Sequence, residues 1–189
     1  MVVLHHAPTL QRQHGSSMIE VLVTLVIVSF GLLGLVGLQS RLQTSEMESY
    51  QRSQALLLLN DMANRIATNR NNALSYVTSS PLGAGMTCSS STSTAVQRDL
   101  TEWCNALQGA AETTNSGSTK VGAMIGGRGC VESAGTDYLV TVAWQGLTPL
   151  SAPPTSVACG INSYNGASGS CINDLCRRTV TTLVRIATL

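Results

Sequence analysis

The sequence predicts an α+β protein in which a long N-terminal hydrophobic α-helix packs on a small antiparallel β-sheet with disulfide-stapled loops. Three observations support this class. Residues 21–40 form an uncharged, strongly apolar run, two segments near the C-terminus alternate apolar and polar residues, and all six cysteines lie downstream of the apolar run. The length of 189 residues favours one globular domain plus terminal segments.

The apolar run has the length of a membrane span. The 20 residues VLVTLVIVSFGLLGLVGLQS lie between Glu20 and Arg41, and as a helix they would extend about 30 Å, the thickness of a hydrocarbon core. A secretory signal peptide would have a small-residue cleavage site after this run, and the exit Gln39-Ser40-Arg41 has none. The run is therefore predicted to be retained as one transmembrane segment.

The helix is predicted to continue beyond the membrane. No Pro or Gly occurs from Ser45 to Arg70, and one helical face carries apolar residues: Ala55, Leu58, Leu59, Met62 and Ile66. We therefore predict an N-terminal helix over 16–70, with its first half, about 21–40, in the membrane.

Three glycines recur at every third position of the span, at Gly31, Gly34 and Gly37. Glycine weakens a helix by roughly 1 kcal/mol relative to alanine, which would soften this stretch when it leaves the lipid. Small residues also permit close packing against another helix. Both interpretations are open.

Residues 71–189 are predicted to form the globular domain. The segments 71–95 and 109–120 are rich in Ser, Thr, Asn and Gly, as surface loops are. Between them, Thr94 and Gln97 fit a capping box, and an apolar stripe follows at helical spacing, which predicts a short helix that Gly109 closes. The stripe comprises Val96, Leu100, Trp103 and Leu107.

Two strands are predicted from strict alternation, over 138–145 and 179–186. Residues 129–133, before a Gly-Thr-Asp turn, supply a third strand. Between the two long strands, 146–175 contains three prolines and many Gly and Ser, which predicts an irregular connection. Connections of this length are uncommon unless they are functional or stapled, and three cysteines are available as the staple.

The cysteines are predicted to form disulfides in an oxidising compartment, because their number is even and they all lie on one side of the apolar run. They are Cys88, Cys104, Cys130, Cys159, Cys171 and Cys176. Six cysteines allow fifteen pairings; proximity in sequence favours a Cys88–Cys104 bridge. Zinc bound by four of the cysteines is the alternative, but no second close pair accompanies Cys171 and Cys176. We expect no metal and no cofactor.

The charge composition argues against nucleic acid as a partner. Charged residues make up 11% of the chain, with 11 Lys and Arg against 10 Asp and Glu, so no broad basic surface is expected.

The six residues before the apolar run form a recognisable sequence motif. The residues Gly15-Ser16-Ser17-Met18-Ile19-Glu20 resemble the leader junction of type IV prepilins. The resemblance implies a pilin fold, cleavage after Gly15 by a prepilin peptidase, and methylation of the new N-terminus at Ser16. Many members of the family begin the mature chain with Phe or Met, whereas this chain would begin with Ser. Residues 1–15 would be a cleaved cytoplasmic leader.

Glu20 has two interpretations. A carboxylate in the first turn of a helix is favoured by the helix dipole, by roughly 0.3 to 1 kcal/mol. The resemblance implies a second role, in which Glu20 contacts the N-terminal amine of a neighbouring subunit during assembly. Pairing there would offset part of the cost of burying two charges.

The resemblance also implies function, localisation and partners. Residues 60–73 and 176–186 resemble the minor pilins of this family, which join a tip complex that primes pilus assembly and supports twitching motility and adhesion. The implied location is the bacterial inner membrane, with residues 71–189 in the periplasm, and then the pilus fibre. The implied partners are other minor pilins, the major pilin, a tip adhesin, the prepilin peptidase and the inner-membrane assembly platform.

Two alternatives remain, a minor pseudopilin of a type II secretion system and a membrane-tethered periplasmic enzyme. All three histidines, His5, His6 and His14, lie before Gly15. If the leader is removed, the mature chain has no histidine for a catalytic triad, a Cys-His pair or a histidine-ligated metal. We therefore expect no catalytic residues and no enzyme activity.

Overall fold

A computed structural model describes residues 17–109, 120, 122, 124–166 and 169–186. The elements in chain order are α1 (Met18–Thr68), a 3₁₀ segment (Arg70–Tyr76), β1 (Leu82–Gly83), α2 (Ala95–Leu107), β2 (Arg128–Ala134), β3 (Asp137–Gln145) and β4 (Arg177–Arg185). The predicted α+β class is confirmed. The chain forms two compact units, one up to Gln43 and one from Thr44.

The second unit contains one antiparallel sheet in the order β1-β2-β3-β4. Val131 of β2 lies opposite Val140 of β3, and Val142 of β3 lies opposite Val180 of β4. Because side chains alternate along a strand, these valines share one face, which we call the inner face. The neighbouring residues on each strand point to the outer face.

The inner face packs on the second half of α1. The helix buries one residue per turn along a single face: Gln51, Ala55, Leu59, Met62 and Ile66. The four apolar side chains of this set form one core with the valines of the inner face and with Trp103 of α2. The indole N–H of Trp103 donates to the Leu58 carbonyl at 2.9 Å, which joins α2 to α1. The predicted apolar face is therefore correct, although Leu58 itself is only partly buried.

Helix α2 begins at the predicted capping box. The Thr94 side chain accepts from the Gln97 backbone N–H, and the Gln97 side chain accepts from the Thr94 backbone N–H, so two donors of the first turn are satisfied. The helix buries Trp103, Cys104 and Leu107. Trp103 lies so close to β2 that a Cβ at Gly129 would collide with its ring, which explains a glycine inside a strand.

Two short elements differ from the prediction for 71–95, which was a loop throughout. The 3₁₀ segment turns the chain after α1, and β1 pairs with the start of β2, where Leu82 lies opposite Gly129. A strand of two residues is too short to show alternation, so its sequence is indistinguishable from a loop. The loop predicted at 109–120 lies largely outside the described residues.

Candidate functional site

The first part of α1 presents an apolar surface that no other described residue covers. Every described residue from 17 to 43 is exposed. An 18-residue window of α1 has a mean hydropathy of 2.7 and no buried residue. By length and composition α1 can therefore cross a membrane, and a lipid or protein environment is needed to cover these side chains.

The hydroxyl groups inside this apolar surface are internally satisfied. Thr24 Oγ1 donates to the Val21 carbonyl at 2.9 Å, and Ser29 Oγ donates to the Leu25 carbonyl at 2.7 Å. Such bonds back to the preceding turn remove the need for an external partner. Neither hydroxyl therefore opposes insertion into lipid, a point that the sequence analysis missed.

Glu20 lies in the first turn of α1, and its backbone N–H donates to the Ser17 carbonyl at 2.8 Å. The side chain is exposed, and Glu20 is the only charged residue from 17 to 40. Its position beside the N-terminal N–H groups favours a carboxylate. The same position leaves the carboxylate accessible to a second chain, so it fits both interpretations of this residue.

Other sequence-predicted positions near the membrane are less informative. Gly15 and Ser16, the predicted cleavage and methylation positions, lie outside the described residues. At Gly31, Gly34 and Gly37 an added Cβ would meet no atom within 4 Å. No contact among the described residues therefore requires glycine there.

The cysteines form three pairs at disulfide distance. The pairs are Cys88–Cys104, Cys130–Cys159 and Cys171–Cys176, with Cα–Cα distances of 5.7, 5.8 and 5.2 Å. The first is the bridge that proximity in sequence favoured. The second joins β2 to the connection between β3 and β4.

That connection covers part of the outer face of the sheet, around Cys130 and Ala143, whereas Leu183 on the same face is exposed. Cys130, Ala143, Cys159 and Tyr164 form a small buried cluster there, separate from the main core. The Tyr164 hydroxyl donates to the Gly126 carbonyl at 2.9 Å. Burial raises the pKa of this phenol, and the neighbouring Arg128 partly opposes the rise. The irregular connection predicted for 146–175 therefore packs on the sheet through Cys159 and Tyr164, and disulfides staple it as predicted.

A buried arginine also binds the backbone of this connection. Arg177 of β4 donates to the carbonyls of Val157 and Cys159, at 2.7 and 3.1 Å, and its Nε lies 3.2 Å from an oxygen of Asp174. Its side chain is 1% exposed, and a buried guanidinium needs such partners. Sequence reasoning missed this role, because the arginine stands at the start of an ordinary strand pattern.

The structure also brings together two carboxylates, Asp99 and Glu102 of α2, on one nitrogen of Arg65. Burial alone would lower the pKa of Arg65, but hydrogen bonds to Glu102, Asp61 and Asp99 raise it above its usual value. These carboxylates are engaged in an ion-pair network. Among the described residues, no three His, Cys, Asp or Glu side chains are grouped to hold a metal ion.

The described residues define an α+β protein with one N-terminal helix that is long and apolar enough to span a membrane, followed by a disulfide-bearing unit. Residues 10–36 match the family model described as the prokaryotic N-terminal methylation motif. No curated protein and no solved structure matches the chain. The motif supports a type IV pilin-like family, a pilin or pseudopilin, and points to a structural protein rather than an enzyme.

The same motif carries information on processing and location. It implies cleavage by a prepilin peptidase and assembly into a pilus with other pilins. Together with the apolar helix, it supports anchoring in the inner membrane and incorporation into a pilus.

Proposed function

We propose that this chain is a minor pilin of the type IV pilus, similar to PilV, that joins a minor-pilin complex at the pilus tip. In this role it primes pilus assembly and supports twitching motility and adhesion. It is inserted once in the inner membrane with residues 71–189 in the periplasm, and then enters the fibre.

One observation carries the proposal. The methylation motif over 10–36 overlaps the start of a helix that is long and apolar enough to span a membrane, and Glu20 lies in the first turn of that helix. A cut after Gly15 makes Ser16 the methylated N-terminus and Glu20 the fifth mature residue. An apolar helix that leaves lipid needs a comparable environment, and a bundle of like helices supplies one.

The assignment to the minor pilins rests on two segments and one surface. Residues 60–73 and 176–186 resemble the corresponding parts of PilV. The connection held by Cys130–Cys159 and Arg177 supplies a rigid surface for contacts within the tip complex, because a fixed backbone loses little entropy on binding. Its partners there are other minor pilins, the major pilin and a tip adhesin, and assembly uses the inner-membrane platform.

Mass spectrometry of the N-terminus tests the processing step. We expect the protein from cells with the prepilin peptidase to begin at Ser16 and to carry one methyl group. In a strain that lacks the peptidase, we expect the chain to begin at Met1. A chain that begins at Met1 in both strains would contradict the proposal.

A deletion strain distinguishes a minor pilin of the pilus from a pseudopilin of type II secretion. We expect loss of this chain to reduce surface pili and twitching while secretion of type II substrates continues. The opposite result, intact twitching with blocked secretion, would identify a minor pseudopilin instead. Complementation with the unaltered chain is the control.

A further inference from the structure

A groove lies between α1 and the sheet at the end of the second unit where α1 enters it. Its volume is about 260 Å³. Seven residues line it: Ser45, Glu48, Ser49, Arg52, Trp144, Leu150 and Arg178. Two cations, one carboxylate and two large apolar side chains therefore meet in one concavity, and none of the roles described above uses it.

Two of the charged groups are already committed to each other and to the backbone. Glu48 Oε1 accepts from the backbone N–H groups of Leu147 and Thr148, at 3.1 and 3.3 Å. Arg178 Nη2 donates to the Thr148 carbonyl at 2.5 Å and lies 3.6 Å from Glu48 Oε1. This pair holds the start of the connection, and its two charges offset each other.

Two further nitrogen donors of the groove, on Arg52 and Trp144, have no partner among the described residues. Arg52 is exposed and makes no hydrogen bond or ion pair with any described residue. Trp144 is 4% exposed. Among the described residues its indole N–H has no acceptor, and the nitrogen itself is not fully buried. Trp144 lines the groove, so its unpaired N–H is a candidate donor for a ligand bound there.

The other tryptophan, Trp103, has the hydrogen-bonded indole N–H that is usual for a buried tryptophan. Trp103 is fully buried, and its indole N–H donates to a backbone carbonyl at 2.9 Å. A mostly buried indole N–H normally finds a partner, so Trp144 differs from the expected pattern. The groove thus combines an unpaired guanidinium with an unpaired N–H donor and apolar walls.

We propose that this groove binds the carboxylate of an Asp or Glu side chain from a partner protein. Arg52 and the Trp144 N–H donate to its two oxygens, while Leu150 and the indole ring contact its methylene groups. Beyond the Glu48–Arg178 pair, one positive charge remains in the groove, and one carboxylate neutralises it. Surfaces that bind anionic lipid use several basic residues together, whereas only Arg52 is unpaired here, so a protein carboxylate is the better match.

This inference adds a partner chemistry to the proposed function, and it rests on that function only in taking the partner to be a neighbouring subunit. The two fail separately. A chain that enters pili without binding a carboxylate refutes the groove alone, and a chain that binds one but never enters pili refutes the minor-pilin role alone.

Nitrogen-15 NMR of the full chain in uncharged detergent micelles tests the proposal, because each indole N–H gives its own resonance. The probe is a capped Ala-Glu-Ala peptide, and capped Ala-Gln-Ala is its uncharged match. We expect the Trp144 resonance to shift and saturate with the glutamate peptide and to stay in place with the glutamine peptide. The Trp103 resonance should not move, which reports an intact core.

Two arginine variants complete the experiment. Arg52→Gln should weaken binding of the glutamate peptide by roughly tenfold, the loss expected for one charge-assisted hydrogen bond. Arg70→Gln, at an exposed arginine outside the groove, should bind as the unaltered chain does. Equal shifts with both peptides, no shift at Trp144, or full binding by Arg52→Gln would each overturn the proposal.

Bicelles that contain phosphatidylglycerol provide the remaining comparison. Bicelles of neutral lipid alone are the reference. We expect the Trp144 resonance to have the same position in both kinds of bicelle. A saturating shift that depends on phosphatidylglycerol, without any response to the glutamate peptide, would assign the groove to a lipid phosphate and refute the protein partner.

Discussion

Nη1 of Arg65 lies 2.8 Å from Oδ1 of Asp99, so a salt bridge joins the last turns of α1 to α2. The other oxygen of the Asp99 carboxylate accepts a hydrogen bond from the Tyr76 hydroxyl of the 3₁₀ segment. Arg65 also contacts Asp61 one turn earlier on α1. Arg65 and its partner Asp99 thus connect α1, the 3₁₀ segment and α2.

Replacement of Arg65 tests this connection. We expect Arg65→Ala to lower the free energy of unfolding by about 2 kcal/mol, since partly buried charged hydrogen bonds are lost and Asp99 loses its cation. Denaturant unfolding of the full chain in detergent measures the change. Arg98→Ala on α2 is the control, because Arg98 is exposed and its one hydrogen bond to a described residue is long, at 3.4 Å. Equal stability of both variants would contradict the prediction.

The disulfides are expected to differ in strength according to the loop that each closes. The Cys130–Cys159 loop spans 29 residues and the Cys171–Cys176 loop spans 5. Chain entropy predicts stabilisation of roughly 3.6 kcal/mol for the first and roughly 2 kcal/mol for the second. We therefore expect the double Cys→Ser variant of the first pair to unfold at a lower denaturant concentration than that of the second. The reverse order would show that chain entropy does not dominate.

Alkaline pH should weaken the outer layer through Tyr164. Burial raises the pKa of its phenol above the usual value of 10.0, so the folded state favours the protonated form. The corresponding stability is present below about pH 10 and is lost as the pH rises through the folded-state pKa. Unfolding measured from pH 8 to 11 should show a steeper decline in the unaltered chain than in Tyr164→Phe. Parallel curves would mean that Tyr164 does not contribute.

Assembly should depend on the charge of Glu20. We expect Glu20→Gln to be produced and cleaved normally yet to be largely missing from sheared pili, because an uncharged amide cannot neutralise the N-terminal amine of a neighbour in an apolar environment. Immunoblots of the pilus and membrane fractions measure the distribution. Glu46→Gln, at an exposed glutamate of the same helix, is the matched control. Recovery of Glu20→Gln in pili at the control level would refute this role.

Local chemistry made much of the fold predictable. The apolar face of α1, the capping box at Thr94 and Gln97, and the alternation along β3 each depend on residues close together in sequence. Their periods of 3.6 and 2 residues identify the element type directly. The helix predicted over 16–70 and the observed α1 (Met18–Thr68) differ by two residues at each end.

The missed features depend on residues far apart in sequence. Arg177 is buried because the carbonyls of Val157 and Cys159 lie around it, and no local pattern indicates that. The open donors of Arg52 and Trp144 lie 92 positions apart and meet only after β3 packs on α1. The Cys130–Cys159 pairing likewise follows from the placement of the connection on the outer face.

The order of the disulfides along the chain has a consequence for folding. Each cysteine is bonded to its nearest unpaired neighbour in the direction of synthesis, and no loop encloses a cysteine of another pair. An oxidase that joins thiols as they emerge, N-terminal first, would therefore produce the native bonds without later exchange. This domain should mature with an oxidase alone and have no need of an isomerase.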